Sequence, residues 1–190
     1  MNLTDDEIIE HIRRGDARKF ALLVDRHKDK AFTLAVRVIG DRHEAEESVQ
    51  DGFMRAYRNL GQFRGDARFS TWLYRIVYNV CMTKVTRKRQ RPESMDVQSS
   101  LVANTFVDDE DVASDIRLEN EEYRAILRDE VEMLPEKFRT AITLFYLEEM
   151  SYEEMTTVLN LPLGTIKTNL FRGRALLRER VQARLRGELV

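Results

Sequence analysis

The sequence predicts an all-α protein with two small helical domains joined by a flexible acidic linker. First, apolar residues recur at helical spacing between capping residues and glycine or proline stops along most of the chain. Second, glycine and proline are scarce, at eight and three residues. Third, residues 92–114 contain six acids, no basic residue and no sustained period, which is typical of a linker. The predicted domains are therefore residues 1–91 and 115–190.

The first domain is predicted to contain four helices. The predicted N-caps are Thr4, Asp16 and Asp41, with Glu7 and Glu44 as reciprocal capping-box partners, and the stops are Gly15, Gly40 and Gly61. After a loop at residues 63–68, the fourth helix begins near Ser70 and ends before Pro92. The core-facing stripes of the third and fourth helices are Ala45, Val49, Phe53, Ala56 and Leu60, and Phe69, Trp72, Leu73, Ile76, Val77 and Val80.

The second domain has the pattern of a helix-turn-helix. A helical period runs over residues 116–131, and Pro135 fits the first turn of the next helix. Ser151 and Glu154 form a capping box that opens SYEEMTTVLN, and LNLPLGT then breaks the chain before a long basic helix. The predicted core residues of this last helix are Ile166, Leu170, Ala175, Leu177 and Val181. A plain helical hairpin with arginines for solubility is the structural alternative.

Charge distinguishes these two interpretations of the last helix. Residues 163–187 hold seven Lys or Arg and only one acid, Glu179, whereas solvated helices more often interleave the two signs. The early positions of the second helix in a helix-turn-helix face base edges in the major groove. These positions are Lys167, Thr168, Phe171, Arg172 and Arg174.

The fourth helix and the loop before it combine aromatic and basic residues. Residues 63–91 hold eight Lys or Arg and one acid, together with the only tryptophan, Trp72. Opposite the core stripe lie Thr71, Tyr74, Arg75 and Tyr78, with Asn79 at the edge. Aromatic faces beside cations suit stacking on unpaired bases. The alternative is that these tyrosines pack on a neighbouring helix.

Other classes of protein find little support. The net charge of −2 is divided into +6 for residues 1–91, −10 for residues 92–132 and +2 for residues 133–190. The chain has a single cysteine and three scattered histidines, so we predict no metal site, and we expect the histidines at the surface. We also predict no catalytic residues, no cofactor and no enzymatic activity. The chain has no predicted signal peptide or membrane span, so we expect a cytoplasmic protein.

Two segments together resemble a bacterial sigma factor of the extracytoplasmic-function (ECF, group IV) class, similar to sigma-E. They are EAEESVQDGFMRAYRNLGQFRGDARFSTWLYRIVYNV and LPEKFRTAITLFYLEEMSYEEMTTVLNLPLGTIKTNLFRGRALLRERV. The resemblance covers nearly the whole chain outside the linker. It departs from the family pattern at Ser48, where leucine is usual, and at Tyr57, where tryptophan is usual.

The resemblance implies a protein that binds core RNA polymerase and directs transcription initiation by recognising promoter −10 and −35 elements. The outer face of the third helix, otherwise a solvated face, would bind polymerase through Glu46, Glu47, Gln50, Asp51 and Arg55. The fourth helix and its loop would hold a flipped −10 base, stack on the open strand and bind phosphates. The implied residues are Phe63, Arg64, Arg68, Trp72, Tyr74, Arg75, Tyr78, Asn79, Lys84, Arg87 and Lys88.

The resemblance also implies partners and a role for the linker. An anti-sigma factor is expected, which could hold the protein at the membrane without membrane insertion, and the acidic linker would thread the RNA path of polymerase. Two rival interpretations remain. A stand-alone helix-turn-helix regulator would not need the aromatic single-strand segment. A helical interaction protein that never touches DNA would not need the one-signed last helix.

Overall fold

The computed structural model describes residues 3–90 and 121–187, and within these ranges the regular structure is helical throughout. The N-terminal bundle contains α1 (Asp5–Arg13), α2 (Phe20–Ile39), α3 (Arg42–Asn59) and α4 (Phe69–Arg89). The C-terminal bundle contains α5 (Glu121–Glu132), α6 (Glu136–Ile142), α7 (Tyr152–Leu159) and α8 (Leu163–Leu185). The all-α prediction is thereby confirmed. The linker predicted at residues 92–114 lies outside the described residues.

Capping residues define the helix starts much as the sequence predicts. Thr4 and Ser151 both form reciprocal capping boxes with the residue three positions on, so these two predictions are confirmed. The side chain of Asp41 accepts a hydrogen bond from the Glu44 backbone N–H at 2.8 Å, which begins α3. Gly40 ends α2 with a φ of +80°, a left-handed conformation that glycine adopts without steric cost.

Two capping predictions were wrong in detail. The side chain of Asp16 makes no capping hydrogen bond; a 3₁₀ turn at Ala17–Lys19 follows it, and α2 begins only at Phe20. The carboxylate of Glu44 does not return to its own N-cap, since it lies 3.3 Å from Lys88 Nζ on α4. At Asp16 a 3₁₀ turn takes the place of the predicted cap, and at Glu44 an ion pair with another helix takes the place of the reciprocal hydrogen bond.

The core of the N-terminal bundle lies where α2, α3 and α4 pack together. All five residues of the predicted third-helix stripe are buried, four of them in α3 and Leu60 in the 3₁₀ turn that follows it. On α4, Phe69, Leu73, Val77 and Val80 are buried, and Trp72 and Ile76 are half-buried. His27, expected at the surface, is 7% exposed. It contacts the rings of Phe69 and Tyr74 and shares a 2.8 Å hydrogen bond with Asp5.

The C-terminal bundle packs α6 and α7 against α8. Ile166, Leu170 and Val181 are buried as predicted and Leu177 is half-buried, but Ala175 is exposed and that part of the prediction was wrong. Gly173 is buried in the same stretch, and a Cβ there would lie 3.2 Å from Phe138 Cβ. The absence of a side chain at this position lets α6 approach α8 closely.

The two bundles contact each other directly. Helix α4 packs against α7, and α2 packs against α6. At one end of this contact Arg37 on α2 forms an ion pair with Glu132, and Arg139 Nε donates to the Arg37 carbonyl oxygen at 2.6 Å. Burial lowers the pKa of Arg139, partly offset by the nearby charge of Glu132.

Candidate nucleic-acid interface

The loop before α4 rests on an aromatic cluster. Phe63 is buried, with its ring centroid 5.8 Å from that of Phe69 and 5.3 Å from that of Trp72. The Phe63 carbonyl oxygen accepts a hydrogen bond from the guanidinium of Arg13 on α1. These contacts fix the base of the loop, and Arg64 next to it is exposed.

The remaining −10 candidates divide by exposure. Arg64, Arg68, Arg75 and Asn79 are exposed, whereas Trp72 and Tyr78 are half-buried. Arg75 and Asn79 are four residues apart on α4 and therefore share one face of the helix. Gly65 turns the loop with a φ of +80°. The exposed loop and this helix face offer guanidinium and amide groups, which can hydrogen bond to phosphates and base edges.

The two tyrosines of α4 face the C-terminal bundle. Tyr74 is only 2% exposed, and burial raises its pKa, reinforced by the charge of Glu148 and a hydrogen bond to it. Burial also raises the pKa of Tyr78, with a smaller contribution from the charge of Glu136. The structure therefore favours packing for Tyr74, between the His27 ring of its own bundle and Glu148 of the other bundle.

The basic end of α4 is partly engaged with α3. Lys84 Nζ lies 2.9 Å from Glu47 Oε2, and Lys88 Nζ lies 3.3 Å from Glu44 Oε1. The hydrogen bond and charge of Lys84 lower the pKa of Glu47. Arg87 is exposed. The ion pairs place the predicted phosphate-binding lysines next to the acidic start of α3.

The outer face of α3 is exposed, although Glu47 on it pairs with Lys84. Glu46, Glu47, Gln50, Asp51 and Arg55 are all exposed, whereas the opposite face is buried on α2 and α4. The surface is mostly acidic toward the helix start, where negative charge also complements the helix dipole. The structure thus brings the predicted polymerase-binding residues together on one continuous helix face.

Ser48 adapts α3 to its neighbour α4. Its side chain is fully buried and donates a 2.7 Å hydrogen bond to the Glu44 carbonyl oxygen. Burial raises the pKa of the Cys81 thiol to about 12, although a hydrogen bond with Ser48 acts in the opposite direction. The polar side chain that departs from the family pattern is therefore accommodated by local hydrogen bonds.

Helix α8 presents the predicted −35 residues near its start. Lys167 and Phe171 are exposed, Phe171 by 45%, and Thr168, Arg172 and Arg174 are half-buried. The Thr168 hydroxyl donates to the Gly164 carbonyl oxygen at 2.8 Å, which fixes its orientation. The start of α8 can therefore offer a cation and an apolar ring to a major groove.

Buried ion pairs hold α8 on α5. The carboxylate of Glu130 accepts from Arg180 Nε at 2.7 Å and from Arg184 Nη1 at 3.0 Å. Burial would raise the pKa of Glu130, but the two arginines lower it on balance. This contact holds the C-terminal half of α8 on α5, and the candidate reading surface is the outward side of the N-terminal half.

Comparison with known families identifies the two bundles separately. Residues 23–91 match the model of Sigma-70 region 2, and residues 124–177 match that of Sigma-70, region 4. The chain is 40% identical to the RNA polymerase sigma-H factor of Pseudomonas aeruginosa, with 96% of each chain covered. It is 37% identical to the ECF RNA polymerase sigma-E factor of Escherichia coli K12, with 97% of each covered. The chain belongs to the ECF sigma factors of RNA polymerase.

The fold of this sigma factor also matches a solved structure. The sigma factor RpoE of Bartonella quintana, determined in complex with the anti-sigma factor NepR, aligns with a TM-score of 0.61 at 23% identity. The alignment covers 87% of this chain and 98% of that one. The match of residues 23–91 to Sigma-70 region 2 supports promoter-specific transcription initiation with RNA polymerase as the function of the chain. A stand-alone regulator is not favoured.

Within the described parts of this sigma factor, residues 3–90 and 121–187, we find no cluster of His, Cys, Asp and Glu that could hold a metal ion. None of the helices in those ranges is long and apolar enough to span a membrane.

Three structural residues of this sigma factor were missed by sequence reasoning. Gly52 and Gly173 lie inside helices at close contacts with a neighbouring helix, and Glu154 binds Arg68 in addition to capping α7. A glycine within an amphipathic helix pattern is a signal for such a contact. The role of Glu154 has no local signal, since its partner lies 86 residues away in the sequence.

Proposed function

We propose that this sigma factor divides promoter recognition among three surfaces. The outer face of α3 binds core RNA polymerase, the loop before α4 together with one face of α4 holds the −10 element, and the start of α8 reads the −35 element. The observation that supports this proposal is that each bundle of the chain has an exposed surface with side chains suited to binding DNA. Arg64 and Asn79 stand on one bundle, and Lys167 and Phe171 on the other.

The −10 element is opened by binding energy alone. A flipped base costs a few kcal/mol to extrude, which stacking and hydrogen bonds to its Watson–Crick edge can offset. Arg64 is exposed next to Phe63 in the loop, Trp72 is half-buried at the edge of the aromatic cluster, and Asn79 is exposed about two turns further along α4. A single strand that crosses this surface meets both polar groups and an aromatic ring. Arg87 and the lysines near it bind the duplex backbone with little sequence information.

Replacing Asn79 by alanine is expected to change the preferred base in the −10 element. The amide of Asn79 can donate and accept at a base edge, and an alanine methyl cannot. Run-off transcription with core polymerase on a library randomised at −10 measures the preference, and a library randomised at −35 serves as the control. An unchanged −10 preference would remove Asn79 from the base-binding pocket.

Replacing Arg172 by alanine is expected to weaken −35 recognition by about 1–3 kcal/mol, roughly five- to 150-fold, if its guanidinium binds a guanine in bidentate fashion. Transcription from promoters with single −35 substitutions should then lose discrimination at one base pair. Arg178, exposed two turns further along α8, is the matched control, and Arg178→Ala should retain discrimination. Uniform loss across all −35 sequences would instead indicate a phosphate contact.

An anti-sigma factor is the expected regulator of this protein. The solved RpoE structure, similar in fold, was determined in complex with such a factor. A cytoplasmic location follows from the proposal, because promoter DNA and polymerase are found there. Tethering at the membrane through the anti-sigma factor would require no membrane segment in this chain.

Run-off transcription with purified core polymerase on a promoter library tests the proposed function. We expect defined start sites that depend on both elements and that are absent with core polymerase alone. Tight, specific operator binding by the protein without polymerase, and no stimulation of transcription, would overturn the proposal.

A further inference from the structure

A polar cleft lies between the two bundles. Its cavity of about 240 Å³ has cations on the side of the N-terminal bundle and carboxylates on the side of the C-terminal bundle. The cations are Arg26, Lys30 and Arg68, and the carboxylates are Glu148, Glu149 and Glu154. We call this feature the interdomain cleft. Its two walls are therefore complementary in charge.

Glu154 is the most fully bound of these carboxylates. Arg68 donates to it in bidentate fashion, with Nε to Oε1 and Nη2 to Oε2 both 2.7 Å, and the Thr71 hydroxyl donates to Oε1 at 2.9 Å. The Ser151 backbone N–H donates to Oε2 at 3.0 Å. Burial would raise the pKa of Glu154, but these donors, Arg68 first, lower it on balance. The carboxylate is thus held as an anion at the start of α4.

Glu148 occupies the other end of the cleft. Its side chain is 3% exposed, with Oε2 3.3 Å from Lys30 Nζ. The charge and hydrogen bonding of Glu148 help to raise the pKa of the buried Tyr74 hydroxyl. The next residue, Glu149, has a φ of +51°, an uncommon conformation for a residue other than glycine. This turn follows the π-helical segment Thr143–Leu147, and both Glu148 and Glu149 line the cleft.

We propose that Lys30, Arg68 and Thr71 form a binding site for the phosphates of single-stranded DNA, and that Glu148 and Glu154 occupy this site when polymerase is absent. The inference rests on the proposed −10 function of the N-terminal bundle. Lys30 is a new member of that surface, on α2 rather than α4. The C-terminal bundle masks the site in cis, while Lys167 and Phe171 at the start of α8 stay exposed.

The chemistry of the site fits both occupants. A guanidinium binds carboxylate and phosphate with the same bidentate geometry, and a lysine and a hydroxyl can donate to either. Arg68 is 67% and Lys30 55% exposed, so each ion pair contributes little by itself. The packing of α4 on α7 and of α2 on α6 contributes the rest of the closed contact. Closure lowers the apparent affinity for DNA by the fraction of open molecules.

Two neutral variants of the full chain test the proposal. Glu154→Gln removes the charge that binds Arg68 but retains the ability to cap α7, because glutamine also forms a capping box. Glu148→Gln removes the charge that faces Lys30 at the other end of the cleft. Glu153→Gln is the matched control, since Glu153 is exposed in the first turn of the same helix and lies outside the residues that line the cleft.

Two measurements separate closure from DNA binding. Small-angle scattering reports the radius of gyration without DNA, and fluorescence anisotropy reports binding of a labelled mixed-sequence single strand of about 15 nucleotides. We expect the Glu148→Gln, Glu154→Gln double variant to expand and to bind the strand about tenfold more tightly, as expected if one molecule in ten is open in the wild type. The control should match the wild type in both measurements.

A third substitution tests the assignment of Lys30. Lys30→Ala in the double variant should reduce strand affinity severalfold, whereas Lys28→Ala, two residues earlier on α2 and paired with Asp25, should not. If the double variant expanded but did not bind the strand more tightly, the carboxylates would not mask a DNA-binding site. If its radius of gyration did not change, these carboxylates would not hold the two bundles together. In either case the wild type would still support run-off transcription. Only a failure of that transcription assay would overturn the proposed sigma factor function.

Discussion

Gly52→Ala should lower the free energy of unfolding by about 1–3 kcal/mol, the usual effect of overpacking a core. An alanine Cβ at this position would lie 2.7 Å from Val77 Cγ2 and 3.4 Å from Val77 Cα, so α3 and α4 would have to separate. Alanine is favoured over glycine in a helix by about 1 kcal/mol, which offsets only part of the clash. Urea denaturation followed by circular dichroism measures the change.

The partner of this clash provides a second test. Val77→Ala alone creates a cavity, but in the double variant the alanine at position 52 occupies part of that space. We therefore expect the double variant to be more stable than the sum of the two single changes, with a coupling energy of about 0.5–3 kcal/mol. Gly61→Ala is the control, because a Cβ there meets nothing within 4 Å and its effect should be near zero. Additive effects of the Gly52 and Val77 substitutions would contradict the close approach.

The contact at Gly52 links two functional surfaces. Its helix presents the proposed polymerase-binding face outward, and Val77 lies on the same helix as Arg75 and Asn79. The close distance between α3 and α4 depends on the absence of a side chain at Gly52. A bulkier residue there would therefore move the proposed polymerase-binding face of α3 relative to the −10 surface on α4. We expect transcription to decline more steeply than stability in such variants.

Local features of the fold were predictable from the sequence because their causes are local. The capping boxes at Thr4 and Ser151, the glycine stop after α2 and the inner stripe of α3 each depend on residues within one or two turns. The error at Asp16 has the same origin, since a 3₁₀ turn competes with the cap. On α8, helical periodicity placed Ala175 inside, but α6 packs over Gly173 instead.

Contacts between the bundles could not be predicted in this way. Arg68 and Glu154 each carry a satisfactory local explanation, as a DNA-binding arginine and as a helix cap. Only the folded chain brings them together across 86 residues. Tyr74 is similar, because periodicity placed it opposite the core of its own bundle, whereas the structure buries it beside His27 of that bundle and Glu148 of the other. The sequence thus predicts the surfaces and leaves their pairing to the structure.

Asp51→Arg should weaken binding to core RNA polymerase by about 2 kcal/mol or more, at least roughly thirtyfold, because it places a like charge against a partner complementary to an acidic face. Asp51 is exposed on α3 in line with Glu47 and Arg55, so the substitution alters the surface without entering the core. Competition with a labelled wild-type chain for purified core polymerase measures the change in affinity.

The matched control is Asp29→Arg, an equal change of charge at an exposed position of α2 outside the proposed interface. Both variants should unfold at nearly the same urea concentration as the wild type, since surface substitutions usually change stability by less than about 0.5 kcal/mol. If both variants lost polymerase affinity equally, net charge rather than the α3 face would control binding. If only Asp51→Arg lost affinity, and its affinity for polymerase depended less on salt than that of the wild type, a direct electrostatic contact at α3 would account for both results. The salt dependence would weaken because the attractive pair that salt screens would be gone.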